Sequence, residues 1–294
     1  MPSHDVIIIG QGYAGLKAAS LAVARGLRVA TVESFFPGGL VMSINHLDPA
    51  PAGESACGPD LTGGLSMDVM DGGALNANGE IEAITLLPDG NWAVEVGGEA
   101  MTSPKLVIAT GATLRKLGVP GEVDYEGRGV SACADCDGPL YHGKEAVIVG
   151  GGDSAFQEAM ALALYVEKVT IVMRAYAPRA RADLVAAVAA DPKVEVVAGA
   201  NVEEIVGDAA GVTGVRLSDG RTIDCAAVFP FIGLVPATAS LPVDLEHDAA
   251  GGVVTSAGLA TDLPGVFAIG AVRSGFGGLL SDAAEDAALV IGQL

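Results

Sequence analysis

The sequence predicts an α/β protein in two domains, on three observations. Its 294 residues suit two domains of about 150 each. Half of the residues are hydrophobic, enough for two sizeable cores and too many for a disordered chain. One pattern of strand, glycine turn, helix and strand occurs twice, 140 residues apart. Together these describe two Rossmann-like, three-layer nucleotide-binding domains.

The first copy opens on an apolar strand, Asp5 to Ile9, which runs into Gly10-Gln11-Gly12-Tyr13-Ala14-Gly15. An Ala-rich helix follows to about Arg25, then a strand from Arg28 to Val32 that ends on Glu33. Trp92 to Val96 reads as one strand of a small antiparallel insertion and carries no chemistry. The second copy has a strand over Ala146 to Val149 and the turn Gly150-Gly151-Gly152-Asp153-Ser154-Ala155. Its helix reaches about Tyr165, and the next strand covers Lys168 to Val172. In such a turn the first glycine permits the tight bend and the second lets backbone approach a pyrophosphate. The third small residue lets helix pack on strand. The phosphates then sit on unpaired N–H groups at the positive end of the helix dipole. One G-x-G-x-x-G is weak evidence; two, each flanked by strand and helix, are much stronger.

The end of each second strand separates the two ligands. Glu33 stands 23 residues after Gly10, where a carboxylate hydrogen-bonds an unphosphorylated adenosine ribose. At the same distance after Gly150 stands Met173, followed by Arg174, with no acid to repel a 2′-phosphate. Lys168, Arg174, Arg179 and Arg181 put four of the 16 cations within 14 residues. The assignment is NADP to the second unit and an NAD-like or FAD adenosine to the first; the alternative for the cations is a solvated surface.

With a net charge of −20, the chain repels phosphate backbones and anionic lipid, so neither nucleic acid nor a membrane surface is an expected partner. The mean hydropathy is +0.47. The longest uncharged stretch, Cys225 to Val243, nevertheless contains Pro230, Gly233, Pro236 and Pro242, which a simple spanning helix does not tolerate. Val6 to Ile9 is too short for a signal-peptide core, and the expected location is the cytoplasm.

Cysteines stand at 57, 133, 136 and 225, and only Cys133-Ala134-Asp135-Cys136 has informative spacing. Zinc would need two more ligands, whereas Cys57 and Cys225 are isolated and His4, His46, His142 and His247 are scattered. A redox role needs only the pair, with one thiolate attacking and the other resolving. Asp137 is either the general acid for the leaving thiolate or a turn residue before Gly138. Asp135 disfavours a thiolate unless it points away. Cys57 is expected to be exposed in a Gly/Pro-rich loop, and Cys225 to be a small core residue.

These motifs resemble the low-molecular-weight thioredoxin reductase family over nearly the whole chain. Gly10 to Gly15, Gly38-Gly39-Leu40, Ala109-Thr110-Gly111-Ala112, Cys133 to Gly138, Gly150 to Ala155 and Gly265-Val266-Phe267-Ala268 follow the family order. The cysteine pair lies in the pyridine-nucleotide domain, as in the small reductases, not after the first nucleotide unit. The resemblance implies a homodimer and an FAD domain from two segments, 1–114 and 240–294. An NAD(P) domain, 115–239, is inserted between them and swivels on two linkers. It implies that Cys136 is the flavin-facing thiol, Cys133 the thiol that attacks the partner, and Asp137 the proton donor. FAD would be held by Gly10, Gly12, Tyr13, Ala14, Gly15, Glu33, Gly39, Leu40, Ala109, Thr110, Gly111, Gly270, Ala271, Gly278 and Leu279. NADPH, with NADH as a weaker donor, would be held by Gly150, Gly152, Asp153, Ser154, Ala155, Arg174 and Arg179.

The sequence also departs from the family. The His-Arg-Arg run reads Met173-Arg174-Ala175, Gly-Gly-Gln reads Gly38-Gly39-Leu40, Gly-Asp reads Gly270-Ala271, and Arg-Gln-Ala aligns with Gly278-Leu279-Leu280. A closing helix begins near Leu279, its dipole available to an anionic reduced flavin. The Pro-rich loop from Ile44 to Asp60 is a candidate for shaping substrate access. The expected activity is transfer of electrons from NADPH through FAD to Cys133–Cys136, then to the disulfide of a thioredoxin-like protein or small molecule. The alternatives are an FAD-dependent dithiol oxidase ending on oxygen and a non-turnover dinucleotide-binding flavoprotein. A ferredoxin donor is disfavoured, since both proteins would be acidic.

Overall fold

Side chains of Val6-Ile7-Ile8-Ile9 alternate between two faces, and both are buried, as in a central strand of a parallel sheet. The computed structural model describes residues 4–239 and 241–294. The chain forms two compact units: one runs up to Thr113 and resumes over Val235–Leu294, and the other is Leu114–Leu234. The boundary expected at Ser240 lies outside the described residues.

In chain order the first unit holds β1 (Val6–Ile9), α1 (Tyr13–Ala24), β2 (Val29–Glu33), α2 (Gly58–Asp71) and β3 (Leu75–Asn78). An antiparallel sheet follows, made of β4 (Ile81–Leu86), β5 (Trp92–Val96) and β6 (Glu99–Ser103). Next come β7 (Leu106–Ile108) and the crossing strand β8 (Ala112–Leu114). The second unit holds α3 (Ala134–Asp137), β9 (Glu145–Val149), α4 (Asp153–Ala163), β10 (Lys168–Met173), α5 (Ala182–Ala190) and β11 (Val194–Ala198). Its antiparallel sheet is β12 (Val202–Asp208), β13 (Gly211–Leu217) and β14 (Thr222–Asp224), followed by β15 (Ala227–Pro230). The chain returns through β16 (Leu234–Pro236) and closes with β17 (Val266–Ala268) and α6 (Leu280–Gly292).

Both units solve the same packing problem in three layers. The first parallel sheet has the order β17-β7-β1-β2-β3, the second β11-β10-β9-β15. Val6 and Ile8 point to the helical face with Leu16, Ala19, Leu65 and Val290, while Ile7 and Ile9 point to the antiparallel sheet with Trp92 and Val94. In the second unit Ala146 and Ile148 meet Phe156 and Leu162, whereas Val147 and Val149 meet Val202, Val215 and Leu217. Each fully buried Ile contributes about 1.5–3 kcal/mol over leaving it exposed. In each sheet the strand opening the repeat has its second strand on one side and a later strand on the other. Ligands of doubly wound sheets bind at the carboxyl ends of the strands at such a switch point.

Trp92 to Val96 is the strand the sequence predicts, and the indole Nε1 donates to Pro264 O at 2.9 Å. One expectation is corrected: Cys57 is half-buried at the head of α2, because the helix starts at Gly58 and the Gly58 N–H donates to Ile44 O at 2.9 Å. Cys225 is buried, and burial pushes its thiol up to about 12. Among the described residues, no helix is long and apolar enough to cross a membrane.

Candidate active site

At the carboxyl end of β1 the chain bends through Gly10, whose φ is +100°. A Cβ there would stand 2.4 Å from Ala109 O, and one on Gly15 would stand 1.9 Å from Gly10 O. A Cβ on Gly12 would meet nothing within 4 Å, so the middle of the turn is an open cradle at the head of α1. The Gly38 N–H donates to Gln11 O at 2.6 Å, and a Cβ on Gly39 would lie 3.2 Å from Gly12 Cα. Thr110 Oγ1 donates to Ala237 O at 2.7 Å beside Gly111, whose φ is +71°. A Cβ on Gly270 would lie 2.8 Å from that of Ala14. Four separate segments therefore converge on the head of one helix.

Glu33, at the end of β2, accepts the Gln11 N–H at 2.9 Å and the Phe35 N–H at 3.1 Å, which holds its carboxylate beside the turn. Tyr13 turns the other way. Its buried hydroxyl donates to Glu54 Oε2 at 2.9 Å, Lys17 pairs with the same carboxylate, and burial raises the phenol above its usual range. Glu54 thus ties the Pro-rich loop to α1.

The second cradle repeats the first with different fastenings. A Cβ on Gly150 would meet Phe231 O at 2.2 Å and Ala155 Cβ at 2.9 Å, and one on Gly152 would meet nothing within 4 Å. The Arg179 N–H donates to Gly151 O at 2.7 Å, which brings the basic segment to the turn. Lys168 pairs with Glu195 at 2.7 Å, and Arg181 pairs with Asp183 at 3.2 Å while its N–H donates to Asp153 Oδ1 at 2.7 Å. Arg174 and Arg179 are exposed and ion-paired to no carboxylate among the described residues. The four-cation cluster of the sequence is therefore two committed charges and two available ones. Asp153 and Ser154 are exposed at the start of α4, and Ala155 is buried beneath them.

In the same unit Cys133 and Cys136 form a disulfide with Cα atoms 5.3 Å apart. Cys133 is half-buried and Cys136 exposed. The Cys136 N–H donates to Cys133 Sγ at 3.1 Å, so an amide of the turn already faces that sulfur. Ala134 is fully buried in the α4 core, which anchors the turn, and its N–H donates to Glu158 Oε2 at 3.2 Å. The Asp137 N–H donates to Cys133 O at 3.2 Å, placing that carboxyl-bearing residue one turn from the first sulfur.

Two nucleotide cradles and a Cys-x-x-Cys disulfide on one chain match what comparison with known proteins returns. The family described as pyridine nucleotide-disulphide oxidoreductase matches residues 4–287. The thioredoxin reductase of Listeria monocytogenes is 39% identical over 281 residues, covering 92% of this chain and 86% of its own. This chain belongs to the thioredoxin reductase family. The Treponema pallidum thioredoxin reductase is 36% identical over 277 residues, covering 92% of this chain and 89% of its own. The crystal structure of Lactococcus lactis thioredoxin reductase superposes with a TM-score of 0.92 at 31% identity, covering 99% of this chain and 97% of that one. The thioredoxin reductase of T. acidophilum gives 0.92 at 30% identity, over 100% and 98%.

As a member of that family the protein is an FAD-dependent NADPH disulfide oxidoreductase. The residues present fit both cofactors: each cradle keeps an open glycine where a pyrophosphate approaches, Glu33 suits a ribose hydroxyl, and the available arginines suit a phosphate. The departures from the thioredoxin reductase pattern also have definite places. Leu40 and Leu279 are each a little under half exposed, Gly278 has φ +101°, and Ala271 sits in a tight turn over Gly270–Val272. The Leu279 N–H at the head of α6 donates to Asp282 Oδ2 at 3.1 Å, so that helix end already carries its own carboxylate.

Sequence reasoning missed the residues that brace these sites. Asp286 is buried on α6 and accepts the Gly270 N–H at 2.9 Å, while Arg273 donates to both of its oxygens at 2.6 and 2.8 Å. An acid amid the apolar stripe Ala283, Ala287 and Val290 was the available signal. Glu158 likewise interrupts the buried stripe Ala155, Ala159 and Leu162 of α4.

Proposed function

We propose that the protein takes two electrons from NADPH, passes them to the Cys133–Cys136 disulfide and delivers them to the disulfide of a thioredoxin-like protein or a small molecule. It does so as a cytoplasmic homodimer. FAD, when bound, supplies the two-electron relay between nicotinamide and disulfide. Gly10, Gly12, Ala14, Gly15, Glu33, Gly39 and Ala109–Gly111 hold FAD, with Gly270 and its neighbours closing the site. Gly150, Gly152 and Asp153–Ala155 hold the NADPH pyrophosphate, and Arg174 and Arg179 hold the 2′-phosphate.

Two electrons break the Cys133–Cys136 bond, with Cys136 as the sulfur that receives them. The Cys133 thiolate, facing the Cys136 amide, then bonds to one sulfur of the substrate disulfide. The substrate S–S bond breaks, and Asp137 supplies the proton to the leaving sulfur. Cys136 next attacks the Cys133 sulfur of the mixed disulfide, restores the internal disulfide and releases the second substrate sulfur as a thiolate that takes its proton from solvent. The observation that supports this reading most directly is the closed disulfide at Cys133–Cys136, on the same unit as the second cradle.

Anaerobic titration of the purified protein with NADPH and with NADH tests the reading. Bleaching of the flavin absorbance that is complete at two NADPH per flavin, one for the Cys133–Cys136 disulfide and one for the flavin, with weaker bleaching by NADH, is the expected result. Bleaching by a small dithiol but by neither nucleotide supports the dithiol-oxidase reading instead. Replacing Cys136 with Ser is expected to abolish turnover of the disulfide substrate; retained turnover removes the pair from the mechanism.

A further inference from the structure

We propose that Glu158 is a positioning residue for the redox pair: it holds the amide that heads the disulfide turn and, when ionised, opposes thiolate formation on the reduced cysteines. This rests on Cys133–Cys136 being the redox centre.

The placement is specific. Glu158 stands on α4 beneath α3, and its Oε2 accepts the N–H of Ala134, the residue immediately after Cys133. The turn has few free amides. The Cys136 N–H faces Cys133 Sγ at 3.1 Å and favours negative charge there, whereas the Ala134 N–H is turned onto a carboxylate. No cation pairs with Glu158 among the described residues. Asp135 of α3 presses on it, and the other α3 carboxylate, Asp137, acts on Tyr141. On the remaining elements packed against α4, Asp183 of α5 is taken by Arg181, Lys168 of β10 by Glu195 of β11, and Glu145 of β9 acts on Cys225. Burial first, and Asp135 next, push the Glu158 carboxyl up to about 7 against the pull of the Ala134 N–H. Its charge therefore changes near neutral pH.

When the pair is reduced, two electrons enter the S–S bond, and each sulfur either takes a proton from solvent or stays a thiolate. Below about pH 6 Glu158 is neutral and leaves the equilibrium to the turn amides. Above about pH 7 its negative charge, one peptide away from Cys133, favours the protonated thiol. Glu158 thus holds back the attacking sulfur on the alkaline side, where a free thiol gains reactivity.

The test reads the cysteines directly. Full-length protein carrying Cys57→Ser is reduced anaerobically, and iodoacetamide labelling of the pair is followed by mass spectrometry from about pH 5.5 to pH 8.5. Glu158→Gln keeps an oxygen acceptor for Ala134 and removes the charge. We expect it to match the parent below about pH 6 and to label about three- to tenfold faster at about pH 8, where the parent carries the opposing charge. Glu158→Asp, which keeps a carboxylate, is expected to retain the parent profile and serves if the Gln variant does not fold. Superimposable Gln and parent profiles overturn the proposal. So does a rate change of equal factor at every pH, which is the mark of a purely structural contact. If the pair has no part in turnover, Cys136→Ser leaves turnover intact while this labelling profile stands, so the two failures are distinguishable.

Discussion

At the head of α1 the third small residue of the turn is Gly15, and a Cβ there would strike Gly10 O at 1.9 Å. At the head of α4 the same place is taken by Ala155, whose methyl group is buried beside Gly150. The first cradle is closed by backbone against backbone, the second by a side chain. Their surroundings differ in the same sense. Asp286 and Arg273 form a buried clamp on Gly270 in the first unit, whereas around the second cradle Arg181 pairs with the exposed Asp183. In both units the middle glycine is left open. If both turns receive a pyrophosphate, as proposed, its recognition tolerates either construction. On the proposed assignment, discrimination between ligands falls to side chains beyond the second strand's core, Glu33 in one unit and Arg174 and Arg179 in the other.

The clamp gives the largest expected effect. Asp286→Ala leaves a largely buried guanidinium without its carboxylate and is expected to lower stability by about 3–5 kcal/mol in a urea titration. Arg181→Ala, on the more solvated partner, is expected to cost less than about 1 kcal/mol, and equal losses would erase the contrast between the units. Gly15→Ala comes next, at about 3 kcal/mol, because backbone must move. Gly12→Ala should keep the melting temperature of the apoprotein and lose bound flavin on gel filtration, since its methyl group enters only the open cradle. A stable, yellow Gly15→Ala protein would show that the first turn is looser than its geometry. Replacing Arg174 and Arg179 together by Ala is expected to raise the KM for NADPH about 100-fold, as loss of two charge-assisted contacts requires, with the KM for NADH unchanged. A similarly small effect, no more than about 1 kcal/mol, is expected for Glu54→Gln in the same urea titration, because Lys17 and Tyr13 keep a neutral acceptor.

Much of this was legible in the sequence because local physics carried it. Strands buried on both faces read as continuous apolar runs, so Val6–Ile9 and Ala146–Val149 stood out, and glycines at fixed spacing marked both turns. The Cys133–Cys136 pairing followed from its spacing. What stayed hidden is contact between residues with no sequential relation. Arg273 and Asp286 lie on opposite sides of a glycine-rich turn, so the apolar stripe of α6 flags the acid while nothing in the sequence names its partner. Lys168 and Arg181 read as free cations because their carboxylate partners, Glu195 and Asp183, are brought to them by the neighbouring strand and by a local turn. Cys57 read as loop because nothing in Cys57-Gly58-Pro59 announces a helix start except the proline, which is also a loop residue.

Tyr13 occupies a position within the first glycine turn, yet its hydroxyl and the Lys17 ammonium one turn later both belong to Glu54. The Pro-rich loop is thereby wired to the helix head proposed to meet the pyrophosphate. Occupancy of the cradle is then readable at a distance: as cofactor braces α1, cleavage by a protease between residues 48 and 55 should slow. The loop serves as a gauge of loading that needs neither colour nor turnover.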